Sequence, residues 1–479
     1  MELDISTAGK WRISPYLTMQ FMEPLGNADS SVDAGWDHLN SCWREELLDT
    51  VRDLQPGMVR WGGCFASYYH WQEGVGPLNE RKPMLNLCWD GIYNNQVGTK
   101  EFAGFCRAVH AEPLLVFNME SDGRMHWAYP KPGMDRFGTA EEAAAWVRYC
   151  NDPDDPLRKA HDPSGPYNVR WWQIGNETSY DKNGYGKEKA AETTLRFAKA
   201  ARNADPGISL IAWGDSGWAE TMCETLGDTV SHIAFHCHYG SGLPDSPLSD
   251  TEYRRNPART FAHLMSVPEI LDRKLQETRG QTAPYGKRLA MTEGHFALPG
   301  RNRCDVLSSW MAGTAYARIF NVILRHSDVL DIATMADFFG NRWQVNAILI
   351  PTPHGSGKPY LQPVGQVMRL FGKYAGERYA EVKTDGGADV TAGIKEDHIY
   401  VHAVNPRMDK ALPLSVSLDG RPYAGSMTVH MIAPEDPAME VTPQNAGCFD
   451  PVTTTVNGNE IVLPPAAAAV IELTLPEKS

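Results

Sequence analysis

Along most of the chain, short apolar runs alternate with helix-length amphipathic segments, the pattern of repeated βα units wound around a parallel sheet. The runs are LTMQFME (17–23), MVRWGG (58–63), EPLLVFNME (112–120), RWWQIGNE (170–177), LIAWGDS (210–216), HIAFHCHYG (232–240), RLAMTEGHF (288–296) and VLDIATMADFF (329–339). Between them fall helical patterns such as WREELLDTVRDL, TKEFAGFCRAV, AEEAAAWVRYC and KAAETTLRFAKAARNA, the last stopped by Asp-Pro-Gly. Eight strands, each followed by a helix, predict a (β/α)8 TIM barrel.

After PVGQVMRLFGKYAGE the texture changes to the short alternating runs HIYVHAVN, PLSVSLDG, SMTVHMIAP and AAVIELTL, separated by Gly, Pro and Asp-Gly turns. That texture predicts an antiparallel, jelly-roll-like β-sandwich. The expected division is a catalytic barrel over 15–376 and a sandwich over 377–479, with an edge strand from 1–14 added to the sandwich.

Composition narrows the function. The 479 residues carry a formal net charge of −14 with no basic stripe, which argues against nucleic acid or an anionic membrane surface and favours a neutral substrate. No run is long and apolar enough to span a bilayer, and the N-terminus lacks a signal-peptide pattern. The expectation is a cytoplasmic protein, or a secreted one whose signal has been removed. Nine scattered cysteines without a Cys-x-x-Cys pair suit reduced, buried thiols better than a disulfide framework or structural zinc.

Two carboxylates dominate the polar residues at the C-terminal strand ends, the face on which barrel active sites are built. Glu177 is expected to end strand four and Glu293 to end strand seven, on opposite sides of the barrel. Such a pair suits a glycosidase, retaining if the carboxyl groups are close and inverting if a water must fit between them. The apolar run Trp171, Trp172, Ile174 before Glu177 suits a carboxyl held protonated as the acid. Asn176 is placed to hydrogen-bond a sugar 2-hydroxyl.

The segments VRWGGCFASYYHWQEGVGP, NNQVGTKEFAGFCRAVHAEPLLVFN and WWQIGNE closely resemble clan A glycoside hydrolases of family 51, largely α-L-arabinofuranosidases. The similarity runs from ISPYLTMQFMEPLGN to VLPPAAAAVIELTL. The resemblance implies a retaining double displacement with Glu177 as acid/base and Glu293 as nucleophile. It further implies Glu23 as a ligand of the sugar in the −1 subsite, Asn176 as a substrate contact, and Trp89 in a segment lining the cleft. This chain departs from the family at three contacts. Cys64 stands where the family has an asparagine, and His238 where it more often has a tyrosine that bonds the nucleophile; Cys64, His238 and Tyr239, which matches the family's next tyrosine, are expected to contact the substrate. Leu349 stands where it has a glutamine, with Gln344 nearby.

Other residues carry weaker expectations. Trp61, Tyr68, Tyr69, His70 and Trp71 are candidates for sugar stacking or for packing. Asn118 and Asp215 are candidates for the site or for helix caps. Asp337 and Asn341 are placed to reach the sugar or close a turn, and His295 to orient Glu293 or pack beneath it. His236, His238 and His295 lack the spacing of a zinc motif, so no metal and no cofactor are expected. The leading expectation is an exo-acting retaining glycosidase that releases terminal α-L-arabinofuranosyl residues from plant-type oligosaccharides, and the resemblance allows for a homo-oligomer. The alternatives are a same-fold enzyme acting on another sugar or internally on a β-glycan, and a carbohydrate-binding barrel without catalysis.

Overall fold

Gln20–Met22 opens a ring of parallel strands that continues through Met58–Trp61, Glu112–Phe117, Trp171–Ile174, Ser209–Trp213, His232–Tyr239, Arg288–Phe296 and Leu330–Ala333, each bonded to the next. The computed structural model describes residues 1–25, 32–89, 91–119, 136–180, 186–248, 251–298, 304–341 and 343–475. Glu120, in the third predicted strand, lies outside the described residues. All eight expected barrel strands are therefore present and adjacent in chain order.

The eighth run differs from expectation because it forms two strands. Leu330–Ala333 pairs with strand seven, and Asp337–Gly340 pairs with strand one at Phe21. A turn at Thr334, whose hydroxyl donates to Ala336 O at 3.0 Å, separates them. The break lets one run close the ring: Tyr16 bridges to Ile332, and Ala333 N donates to Tyr16 O at 3.1 Å.

Side-chain alternation along the strands builds the interior. Met58, Trp171, Ile211, Trp213, Ala234, Ala290 and Ile332 fill the barrel base. Val59, Trp61, Trp172 and Ile174 face outward into the larger core shared with the helices. The polar side chains of Arg60 and Gln173, at the next inward positions, are fully buried above the apolar plug. The helices form where the pattern predicts, at Glu45–Leu54, Thr99–Ala108, Ala140–Asn151 and Lys187–Ala204. In the first of these, Leu47, Leu48, Val51 and Leu54 make one buried stripe. The third is capped by Thr139, whose hydroxyl accepts from Glu142 N. Among the described residues, no helix is long and apolar enough to cross a membrane.

Beyond the helix Pro363–Lys373, one continuous ten-stranded sheet folds over on itself, and its apolar faces meet in a separate core. Glu2–Arg12 belongs to this sheet, pairing antiparallel with Arg378–Thr384 and parallel with Leu412–Leu418. That second pairing departs from an all-antiparallel sandwich. The buried helix Trp310–Arg325 connects the two units. Asp389 of the sandwich accepts from Arg318 Nε at 3.0 Å, Asn321 Nδ2 at 3.1 Å and Arg325 Nη1 at 2.8 Å of that helix.

Burial would raise the Asp389 carboxyl, but Arg325 and Arg318 outweigh it and hold the group below the usual range. Its stabilising contribution is therefore complete above the unfolded pKa and is lost as pH falls through the folded one. Asp389→Ala takes the shared partner from two part-buried guanidinium groups, although Arg318 keeps Glu269 and Met265 O, and is expected to cost about 1–3 kcal/mol. Urea unfolding of the variant at neutral pH measures this, and a loss under about 1 kcal/mol, the value of a surface pair, would contradict it.

Candidate active site

Strand four stops at Ile174, and the chain turns sharply through Gly175 (φ +74°) and Glu177 (φ +53°). The left-handed region costs a residue with a Cβ about 1–3 kcal/mol, so the surrounding structure must hold it. Tyr180 N closes the turn onto Glu177 O at 2.8 Å, and the side chain enters the barrel mouth, where Oε1 lies 2.8 Å from His236 Nδ1. Glu177 thus sits beyond the strand rather than at its last position.

Strands six and seven pair with a register shift between Phe235 and His236, which sets His236 opposite Glu293 and His238 opposite His295. A bulge of this kind re-aims side chains beside active sites. It turns both Thr292 and Glu293 towards His236, with His236 Nε2 3.0 Å from Thr292 Oγ1 and Nδ1 3.6 Å from Glu293 Oε2. One carboxylate oxygen of Glu177 and one of Glu293 lie within 4.8 Å of each other.

The centre of this network is Arg60, a residue the sequence reading passed over. Its Nη1 donates to Glu293 Oε1 at 2.9 Å, its Nη2 to Asn176 Oδ1 at 2.6 Å and its Nε to Gln173 Oε1 at 3.0 Å. With Oδ1 taken, Asn176 keeps a buried Nδ2 that has no partner among the described residues. On the opposite wall, Glu23 Oε1 accepts from Phe65 N at 2.8 Å and Trp89 Nε1 at 3.0 Å. Gly63 (φ +82°) is needed here, because a Cβ would come within 2.6 Å of Glu23 Cδ.

The two carboxyl groups are driven apart in acidity. Burial, reinforced by Glu293 and Glu23, raises Glu177 well above the ordinary carboxyl range. Burial also acts on Glu293, yet His236, the nearby His238 and the fixed charge of Arg60 overcome it and hold the group low. Burial pushes His236 down to about 3, so its ring is neutral. A neutral ring has one N–H. Given to Thr292 Oγ1 from Nε2, that N–H leaves Nδ1 to accept from a protonated Glu177, in agreement with its raised pKa. Burial and Glu293 raise Glu23 as well.

The remaining candidates divide. His238, the most exposed member of the cluster, sets Nε2 3.8 Å from Glu293 Oε2 and its ring 4.6 Å from that of His295. Cys64 donates its thiol to Glu177 Oε2 at 3.6 Å, and the Cys88 hydrogen bond with burial keeps that thiol protonated. Trp89 packs edge-on against Trp343, which the sequence reading also missed. Asp337 lies 3.7 Å from His295 Nε2, and burial lifts its carboxyl to about 6. His295 therefore turns towards Asp337 rather than orienting Glu293.

Tyr239 is not brought to the cluster. Alternation along strand six sends it opposite to His238, into full burial against Phe296, with its hydroxyl 3.9 Å from Met291 Sδ. The expected substrate contact is a packing residue. Asp215 is engaged by Lys274, Tyr180 and His236 N, and Asn341 closes a turn on Thr352. Asn118 holds the Tyr69 and Arg136 carbonyls. Trp61, Tyr69 and Trp71 pack on Phe102 and Trp146, Tyr68 bonds Asn86, and His70 bonds Glu142. Leu349 is buried in a strand. Larger clefts open elsewhere, as beside His70, Arg81 and Arg136, but the paired and oppositely shifted carboxyls mark the barrel mouth as the chemical centre.

Comparison with known proteins places this arrangement. Residues 50–242 match the α-L-arabinofuranosidase 1 domain and residues 305–467 the α-L-arabinofuranosidase C-terminal domain. A probable α-L-arabinofuranosidase C of Aspergillus flavus is 34% identical over 439 residues, covering 81% of this chain and 80% of the relative. An intracellular exo-α-(1→5)-L-arabinofuranosidase of Acetivibrio thermocellus is 30% identical over 241 residues, 46% of this chain and 42% of that protein. The chain's matches to three other fungal relatives span 45%, 41% and 35% of their length. The arabinose complex of the Thermotoga maritima α-L-arabinofuranosidase superposes with a TM-score of 0.81 at 22% identity, covering 99% of this chain and 100% of that one, and shows the shared fold. By its sequence and its barrel-plus-sandwich architecture, the chain belongs to the α-L-arabinofuranosidase family, glycoside hydrolase family 51.

Proposed function

We propose that this protein is a retaining exo-α-L-arabinofuranosidase with Glu177 as acid/base and Glu293 as nucleophile. The carrying observation is the pair itself: two buried carboxyls with oxygens within 4.8 Å and opposite acidity shifts. A separation near 5 Å suits direct attack, whereas inversion needs about 6.5–9.5 Å to admit a water. Glu293, ionised, attacks the anomeric carbon while Glu177 gives its proton to the departing oxygen. Glu177, now a carboxylate, then takes a proton from the water that cleaves the glycosyl-enzyme.

Asn176 Nδ2 is the donor left for the sugar 2-hydroxyl, and the Glu23–Trp89 wall faces the ring. Asn176→Ala is expected to lower kcat/KM by about 100-fold, as for loss of one donor that acts mainly in the transition state. Kinetics on a nitrophenyl arabinofuranoside measure this, and a change below threefold would remove Asn176 from the site.

A panel of nitrophenyl glycosides, with the first-formed anomer followed by proton NMR, tests the whole reading. Arabinofuranoside turnover with retention is expected, and inversion would overturn the mechanism. The second reading is another sugar in the same site, favoured by Cys64, whose thiol is committed to Glu177 and offers substrate only a weak partner. Selective turnover of a different glycoside would establish it. The exo action follows the reading of a single terminal sugar at the cluster, and release of internal fragments from an arabinan would contradict it. The nine cysteines are free thiols, which supports a cytoplasmic location.

A further inference from the structure

We propose that the barrel mouth also binds one divalent transition-metal ion of the zinc type through Glu177, His236, His238 and Glu293, and that the bound ion excludes the glycoside. The binding half of this inference stands on geometry alone, and the exclusion half rests on the proposed catalytic roles.

One ligand atom from each of the four side chains lies within 4.8 Å of all the others. Neighbouring separations are 2.8 Å from His236 Nδ1 to Glu177 Oε1, 3.6 Å from His236 Nδ1 to Glu293 Oε2, and 3.8 Å from His238 Nε2 to Glu293 Oε2. Zinc bonds of about 2.0–2.2 Å in a tetrahedron set ligand atoms roughly 3.4 Å apart, so these three separations lie within about 0.6 Å of that spacing, and no other pair exceeds 4.8 Å. Two imidazoles and two carboxylates suit zinc, copper or nickel better than magnesium or calcium, which prefer an all-oxygen shell.

The supporting contacts are also those of a built site. Metal-bound histidines and carboxylates are held by further hydrogen bonds. Here Thr292 Oγ1 holds His236 Nε2, and Arg60 holds the second oxygen of Glu293. Arg60 pairs with one oxygen of Glu293 and acts on Glu177, while Glu23 and Asp337 lie near enough to Glu293 to interact with it, so an entering cation meets more carboxyl groups than this guanidinium can pair. His238, with 31% of its side chain exposed, stands at the solvent side, where an ion would enter. An ion there occupies oxygens of both reacting carboxylates, and attack and proton transfer stop together.

Isothermal titration of the full-length protein with zinc chloride tests the site, with magnesium and calcium chloride as controls. One zinc per chain is expected, with neither control ion competing. His238→Ala should weaken zinc binding by more than about 10-fold, the lower bound for losing even a supporting contact. Cobalt in place of zinc should show a visible spectrum without thiolate charge-transfer bands, separating this site from the cysteines. Zinc should inhibit glycoside turnover competitively, with a chelator reversing it. Absence of zinc binding, or affinity unchanged in His238→Ala with the variant's melting curve intact, would overturn the proposal. Because calorimetry does not depend on turnover, a protein that binds zinc yet cleaves no arabinofuranoside would refute the catalytic reading and leave the metal site standing.

Discussion

Glu293→Ala is expected to lower kcat by about 10⁴-fold or more, the scale of losing a covalent nucleophile whose partners remain in place. The covalent step has no substitute at this position, because Arg60, His236 and His238 all converge on the Glu293 oxygens. Glu177→Ala should behave differently. A nitrophenol needs little help from an acid, so glycosylation persists while hydrolysis of the glycosyl-enzyme, which needs the base, slows and the intermediate accumulates. Added azide then discriminates the roles. In the Glu177 variant it attacks the glycosyl-enzyme and yields a glycosyl azide of retained configuration. In the Glu293 variant it takes the vacant nucleophile position and yields the inverted azide. Unchanged turnover in either variant, or azide products with the opposite stereochemistry, would invalidate the assignment.

The second large effect is expected at Arg60. Replacement by methionine keeps an apolar stem but removes the charged guanidinium, whose carbon lies 5.0 Å from the Phe21 ring centre. It strips partners from Glu293, Asn176 and Gln173 within a fully buried layer, at an expected cost of about 3–5 kcal/mol in stability. The pH profile carries the more specific signature. The active form has Glu293 ionised and Glu177 protonated, so the acid limb of kcat/KM follows Glu293 and the basic limb Glu177. In the native protein the depressed Glu293 places the acid limb below the ordinary carboxyl range, and the raised Glu177 places the basic limb well above it. Arg60 lowers both groups. Without it each carboxyl rises, and both limbs are expected to move to higher pH. A variant that loses stability while its profile stays in place would reduce Arg60 to a structural residue.

The sandwich strands and the barrel repeat were readable because burial imposes period two on strands and 3.6 on helices, and those periods survive in the one-dimensional pattern. Glu177 was readable because a carboxylate directly after an apolar strand is conspicuous. Arg60 was not, although it occupies the inward register two residues after Met58. A lone arginine in MVRWGG resembles an edge residue until the ring closes around it and its three acceptors arrive from strands four and seven and the turn after strand four. Tyr239 was misread for a related reason: the strand alternation that brought His236 and His238 inward had already assigned it outward. The split of the eighth run escaped the pattern because both halves are equally apolar, and only ring closure distinguishes their partners.

The sequence by itself determined the order of elements, the division between barrel and sandwich texture, and the two carboxylates that face each other. Those follow from local periodicity and from which residue types end apolar runs. Tertiary structure alone decided their separation, their opposite acidities and the network that sets both. A bulge between strands six and seven, a left-handed turn at Glu177 and the buried charge of Arg60 create those properties. Each depends on distances between segments far apart in the chain, and electrostatic coupling across a desolvated site is decided by those distances.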